Sequence, residues 1–119
     1  MLALASCGGG GGGGGSTVEV NYAPASLNGR KLIFQDPSVP VSTSYAYAPG
    51  TYSTAGDSGP YTYARDTVLH KATVVNNSTT TNVTSTYDLT FSNATQGTYT
   101  VKKTSPGGTV TESSSFTIQ

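Results

Sequence analysis

The sequence predicts an all-β domain, an antiparallel meander of seven or eight short strands forming an up-and-down barrel or a half-open barrel. Three observations carry that prediction. First, twenty Thr, fifteen Ser and eight Tyr dominate the chain, whereas two Glu, four Lys and one Met leave few good helix formers. Branching at Cβ and flat rings suit a pleated surface. Second, apolar residues recur with period two along most segments. Third, Gly, Pro, Asn and Asp clusters punctuate the chain about every ten residues, the spacing of short antiparallel strands. Connections of hairpin length favour a meander over the alternative, an immunoglobulin-like sandwich, which needs longer Greek-key crossings.

Ser16 to Tyr22 alternates Val18, Val20 and Tyr22 against Thr17, Glu19 and Asn21, so a first strand is expected there. Asn28-Gly29 tolerates positive φ and predicts a tight turn. Arg30 to Gln35 follows with Leu32 and Phe34 on one face, ended by Pro37 and Pro40. Thr43 to Ala48 pairs Tyr45 with Tyr47, and Pro49-Gly50 turns into Thr51-Tyr52-Ser53. Gly56-Asp57-Ser58-Gly59-Pro60 reads as a breaker. Tyr61 to Arg65 alternates again, and Asp66-Thr67 turns into a strand from Val68 to Val75. Asn76 to Asn82 reads as a polar loop. Thr84 to Ser92 sets Tyr87, Leu89 and Phe91 against Thr86, Asp88 and Thr90. A loop at Asn93 to Gly97 leads into Thr98 to Thr104, and Ser105-Pro106-Gly107-Gly108 into Thr109 to Gln119, a strand with a candidate break at Ser113 to Ser115.

A chain of 119 residues is one domain by size. Its net charge is zero, and its six basic residues are scattered, so the electrostatic footprint of a nucleic-acid binder is missing. No run of about 18 apolar residues supplies a spanning helix. One cysteine excludes an intramolecular disulfide and a multi-cysteine metal site. No cofactor motif is present: the glycine run Gly8 to Gly15 follows no strand and so is no phosphate cradle.

Leu4-Ala5-Ser6-Cys7, followed at once by that glycine run, resembles the lipobox of bacterial lipoproteins. The resemblance implies diacylglycerol on the Cys7 sulfur and an acylated amine after cleavage, a two-signal anchor. Residues 1–6 then read as the remnant of a signal peptide, with a native start further upstream, because a secretory signal needs a basic region and a longer apolar stretch. Residues 7–15 read as lipidated cysteine and tether, and residues 16–119 as the β domain. A flexible linker of about ten residues spans roughly 17 Å, which lifts the domain off the bilayer. Gly8 after Cys7 resembles the outer-membrane sorting default. The expected location is the bacterial cell envelope, at the outer membrane.

Leu27-Asn28-Gly29-Arg30-Lys31-Leu32, Tyr61-Thr62-Tyr63-Ala64-Arg65, Tyr87-Asp88-Leu89-Thr90-Phe91 and Gly97-Thr98-Tyr99 are similar to the strands of small lipocalin-like β-meander domains in bacterial lipoproteins and secreted proteins. The resemblance implies a barrel, and brings no activity to any residue. Lipocalins carry a Gly-x-Trp near the first strand, and this chain has no Trp.

Gly56-Asp57-Ser58-Gly59-Pro60 resembles the nucleophile motif of chymotrypsin-like proteases but lacks its second Gly, and His70 follows the serine instead of preceding it. A turn explains these residues more simply. His70 reads as a strand histidine on the face of Val68, Ala72 and Val74, with Asp66 and Asp88 as conceivable partners for a small hydrolase. The six acids show no spacing that implies a facing pair or a metal site. Tyr45, Tyr47, Tyr61 and Tyr63, ending at Arg65, offer an aromatic strip suited to a sugar or peptide. The competing reading makes these rings the core of a domain short of Leu and Ile. The expected function is therefore a membrane-anchored, non-enzymatic β domain of structural, adhesive or binding role. Its partners would be the membrane, through the lipid, and a sugar, peptide, small apolar ligand or envelope protein. A lipocalin-like carrier with an internal cavity is the alternative.

Overall fold

The computed structural model describes residues 20–38 and 40–119. Eight strands follow one another: β1 (Lys31–Gln35), β2 (Ser42–Ala48), β3 (Thr51–Thr54), β4 (Asp57–Arg65), β5 (Lys71–Asn77), β6 (Thr84–Asn93), β7 (Gln96–Ser105) and β8 (Gly108–Ile118). Each pairs antiparallel with its sequence neighbours, and β8 returns to β1, closing an up-and-down barrel. The expected meander is thus a closed barrel, neither half-open nor an immunoglobulin-like sandwich. Closure rests on a short ladder in which Leu32, Ile33 and Phe34 pair with Ile118, Thr117 and Phe116.

Tight turns set the register. Pro49-Gly50 joins β2 to β3, with Gly50 at φ 79°, the left-handed value the third residue of a type II turn requires. Eight strands leave an interior just wide enough for side chains to fill. Leu32, Phe34, Tyr47, Tyr52, Val74, Tyr87, Leu89, Tyr99, Val101 and Phe116 are buried there. Outward positions are mostly polar, with Ile33 and Val75 the larger apolar exceptions: on β6, Thr84, Thr86, Asp88 and Thr90 alternate with Ser85, Tyr87, Leu89 and Phe91. Their hydroxyls bond across strands, as in Thr100 to Ser113 at 2.9 Å. A barrel that spans lipid has the opposite alternation, apolar outside and polar within.

One end, the upper rim, carries the β1–β2, β3–β4, β5–β6 and β7–β8 connections. The other, the lower rim, carries the remaining turns and the chain entering β1. That entering segment plugs the lower rim: Ala23 and Leu27 are each 1% exposed.

Four local expectations are corrected. Residues 1–19 of the expected N-terminal segments, including Cys7 and most of the strand at Ser16 to Tyr22, lie outside the described residues. Residues 20–22 form no strand; the Tyr22 N–H donates to His70 Nδ1 at 3.1 Å instead of to a ladder. Asp57 to Pro60 belongs to β4 rather than to a breaker, with only Ala55-Gly56 turning. Pro60 is tolerated because the β4–β5 ladder ends at the Tyr61–Asn76 pair, so its missing N–H costs no rung. Residues 68–70 are turn, and His70 has φ 68°. β8 runs unbroken through Ser113 to Ser115.

Candidate functional site

Two polar clusters and one mouth stand out. The mouth opens at the upper rim, where Phe34, Tyr45, Tyr87, Tyr99 and Val101 project inward beneath Asp36, Pro37, Lys103 and Glu112. Phe34 stacks on Tyr87 with centroids 4.3 Å apart and meets Tyr99 edge-on at 4.8 Å. Tyr99 donates its hydroxyl to the Gln35 carbonyl at 2.7 Å. These rings leave a cavity of only ≈ 40 Å³, room for about one water. Burial raises the Tyr87 hydroxyl far above the ordinary phenol value, and neighbouring Tyr45 adds to the effect. Lys103 and Glu112, 3.5 Å apart, sit over this cleft. Beyond them lies a shallow groove of ≈ 500 Å³ on the inner side of the β7–β8 hairpin, bordered by Val83 and Val110.

The first polar cluster ties the β5–β6 loop to the β3–β4 hairpin. Asp57 Oδ1 accepts from Ser78 Oγ and Thr80 Oγ1 at 2.5 and 2.6 Å, and Oδ2 from the Tyr52 hydroxyl at 3.1 Å. Partial burial pushes the Asp57 carboxyl up, but hydroxyls of Ser78, Thr80 and Tyr52 and the Ser58 N–H together hold it below the ordinary carboxylate value. Burial, then the Asp57 carboxylate, pushes Tyr52 up to about 12. The loop passes so close to β4 that a Cβ on Gly59 would overlap the Asn77 carbonyl.

The second cluster fixes the entering segment on the lower rim. Tyr22 stacks on His70 at 4.3 Å, and the His70 N–H donates to Asn21 Oδ1 at 3.0 Å. Tyr63 donates to the Pro24 carbonyl and Tyr61 to Asn28 Oδ1. Gly29 donates its N–H to the Tyr47 carbonyl at 2.8 Å.

The expected aromatic strip is distributed along the barrel interior. Tyr45 is half-buried with an edge in the upper mouth. Tyr47 is 2% exposed, and its hydroxyl and the Asn76 amide bond reciprocally at 3.0 and 3.2 Å. Tyr61 meets Tyr47 edge-on at 4.7 Å. Tyr63, which burial pushes up to about 12, lies under the entering segment. Arg65 is exposed at the lower rim. Three of these hydroxyls are thus committed to structural partners, a commitment set by residues far away in sequence and invisible to alternation.

The serine and histidine of the weighed hydrolase are apart. Ser58 lies at the upper-rim end of β4 and His70 follows its lower-rim end, with the strand from Ser58 to Arg65, roughly 23 Å at ~3.3 Å per residue, between the two rims. Asp66 closes its own turn by accepting from the Val68 N–H, and Asp88 accepts from Thr73 on the outer face. Among the described residues no group of three His, Cys, Asp or Glu side chains gathers to hold a metal ion.

No protein-family model, no curated protein and no solved structure matches the chain. The architecture therefore stands on its own geometry: a small eight-stranded antiparallel barrel with a buried aromatic core.

Proposed function

We propose that this chain is a lipid-tethered bacterial envelope protein whose barrel is a non-enzymatic surface module, presenting its upper end to a partner. The single observation that carries the non-carrier part of this reading is the packed interior. Ligand pockets of carriers hold about 300–1,000 Å³ and enclose their ligand; here the space between Phe34, Tyr45, Tyr87 and Tyr99 is ≈ 40 Å³, and the larger spaces, ≈ 500 Å³ beside Val110 and ≈ 530 Å³ beside Ser44 and Thr54, are open surface grooves. The polar outer face supports a domain held beside the membrane rather than within it. The lipobox-like Leu4-Ala5-Ser6-Cys7 supports the anchor. The entering segment is clamped by His70, Tyr63 and Tyr61 to the lower rim, so a tether attached there leaves the mouth at the opposite end free for a partner.

Metabolic labelling with a clickable palmitate, on a version carrying the genomic sequence upstream of Met1, tests the anchor. Incorporation is expected in the parent and lost in Cys7→Ser; label retained by Cys7→Ser refutes it. Titration with a fluorescent fatty acid tests the packed interior. Saturable one-to-one binding that Tyr87→Ala abolishes would restore the lipocalin-like carrier.

A further inference from the structure

The β7–β8 hairpin outreaches the seam that closes the barrel. β8 pairs with β7 along its whole length, from Gly108 with Ser105 to Thr117 with Gln96. On its other side it pairs with β1 only at Phe116–Ile118. Among the described residues, Gly108 to Ser114 therefore have no strand on that side.

The direction of the unpaired groups follows from the ladder. Lys31 and Gln119 exchange both backbone hydrogen bonds, at 3.0 and 2.9 Å. Gln119 thus points toward β1, and so do alternate residues before it. The backbone groups of Thr109, Thr111 and Ser113 accordingly face the open side. The even-numbered residues bond to β7, in keeping with the Ser105–Gly108 pair at the hairpin end.

Proteins usually guard such an edge with Lys, Pro, a bulge or an unpaired inward-pointing charge. Between Thr109 and Ser115 there is no Lys, Arg or Pro, and the β7–β8 register has no shift. The segment's one charge, Glu112, lies on the inner face and is paired with Lys103. The chain's net charge of zero sets no long-range repulsion between copies. Val110, 56% exposed, adds an apolar side chain on the inner face beside the groove.

We propose that this edge is a self-association site, on which β8 of a second copy adds antiparallel across a two-fold axis at Thr111. This names the partner of the upper end in the reading above and does not depend on the lipid anchor. With the axis at Thr111, Thr109 faces Ser113 of the other copy, a Thr–Ser pair of the kind that stabilises sheets. Val110 then faces Glu112 of the other copy. An axis one residue later would set Glu112 against its own copy, and like charges directly opposite are destabilising. The edge's one charge is already paired with Lys103, so nothing on it recruits a charged partner, whereas its own Thr109 and Ser113 supply the matching cross-strand pair, which favours a second copy.

The test uses the full chain under reducing conditions, so that Cys7 cannot cross-link it. Sedimentation from ~5 to ~500 μM should show a reversible monomer–dimer equilibrium, since one edge ladder is smaller than a standard stable interface. Thr111→Pro removes an N–H that points to the open side, so the β7 ladder stays intact. Its dissociation constant should rise at least about tenfold (~1.4 kcal/mol), with an unchanged circular dichroism spectrum. If that variant fails to fold, Thr109→Pro asks the same question one rung away. Hydrogen exchange at the Thr111 amide should be slow at high concentration and fast on dilution. A monomer throughout, a dimer indifferent to both prolines, or a Thr111 amide protected in the monomer would each overturn the proposal.

Discussion

Replacing Gly97 by Ala tests the barrel register more sharply than any change to a large core residue. Gly97 is an inward position on β7, opposite Phe91 on β6 and Phe116 on β8. Those two rings meet edge-to-face at 5.0 Å and 84° directly over it. A Cβ there would overlap the Thr90 carbonyl and lie 2.8 Å from Phe91 Cα and 2.9 Å from Phe116 Cε1. Two of these three obstacles are backbone, which cannot rotate away. Overpacking costs about 1–3 kcal/mol in general, and this case belongs at the upper end. Displacing the Phe91–Phe116 contact adds ~0.5–1.5 kcal/mol. Restricting the unfolded chain returns ~0.4–1 kcal/mol. The net expectation is a loss of about 2–4 kcal/mol, or a melting temperature lower by at least roughly 8 °C for a domain of this size. Urea unfolding followed by far-ultraviolet circular dichroism measures it, with the slope against urea unchanged. Gly107→Ala, whose added Cβ meets only Ser105 Oγ at 3.9 Å, is the neutral control. A one-residue slip of β7 would turn position 97 outward. Stability of Gly97→Ala within ~0.5 kcal/mol of the parent would therefore refute the register.

Asp57 and Tyr47 give two further expectations. The Asp57 carboxyl is held below its ordinary value of 3.8, so the unfolded chain takes up its proton first as pH falls. The stability it contributes is complete above that ordinary value and is lost as pH falls through the lower folded-state value. Urea midpoints between pH 2 and pH 6 should show this acid-side slope in the parent and a weaker one in Asp57→Asn; identical slopes would discount the hydroxyl cluster. Tyr47→Phe strands the buried Asn76 amide and should cost ~1–3 kcal/mol, whereas Tyr47→Phe with Asn76→Leu, which removes both polar partners, should cost less than the two single changes added. Strict additivity in that double-mutant cycle would mean that the Tyr47–Asn76 pair makes no net contribution.

Local chemistry exposed most of the strands but not the roles of individual side chains. The pairing of Leu32 with Phe34, and of Tyr87 with Leu89 and Phe91, was readable because period two separates two faces of any strand. Asp57 to Pro60 misled because Gly, Asp, Ser and Pro are turn residues by local preference. The Gly59 site needs a missing side chain for the loop that lies over it, and Pro60 falls where a ladder has ended. His70 was misplaced because Val68 and Leu69 extend the apolar run, yet the Asn21 and Tyr22 contacts hold it in a left-handed turn. Those contacts join residues 48 and 49 positions apart, beyond the reach of any local pattern.

The sequence by itself determined an all-β, antiparallel, hairpin-connected chain, because residue preference, alternation and turn chemistry act over a few residues. It also carried the cysteine context on which the anchor proposal rests. Tertiary structure alone decided that the meander closes, that its tyrosines turn inward as core, and that β8 outruns its partner at the seam. Each of these depends on β1 meeting β8 across the whole domain. Alternation marks two faces, but only the curvature of the closed sheet says which one is the inside.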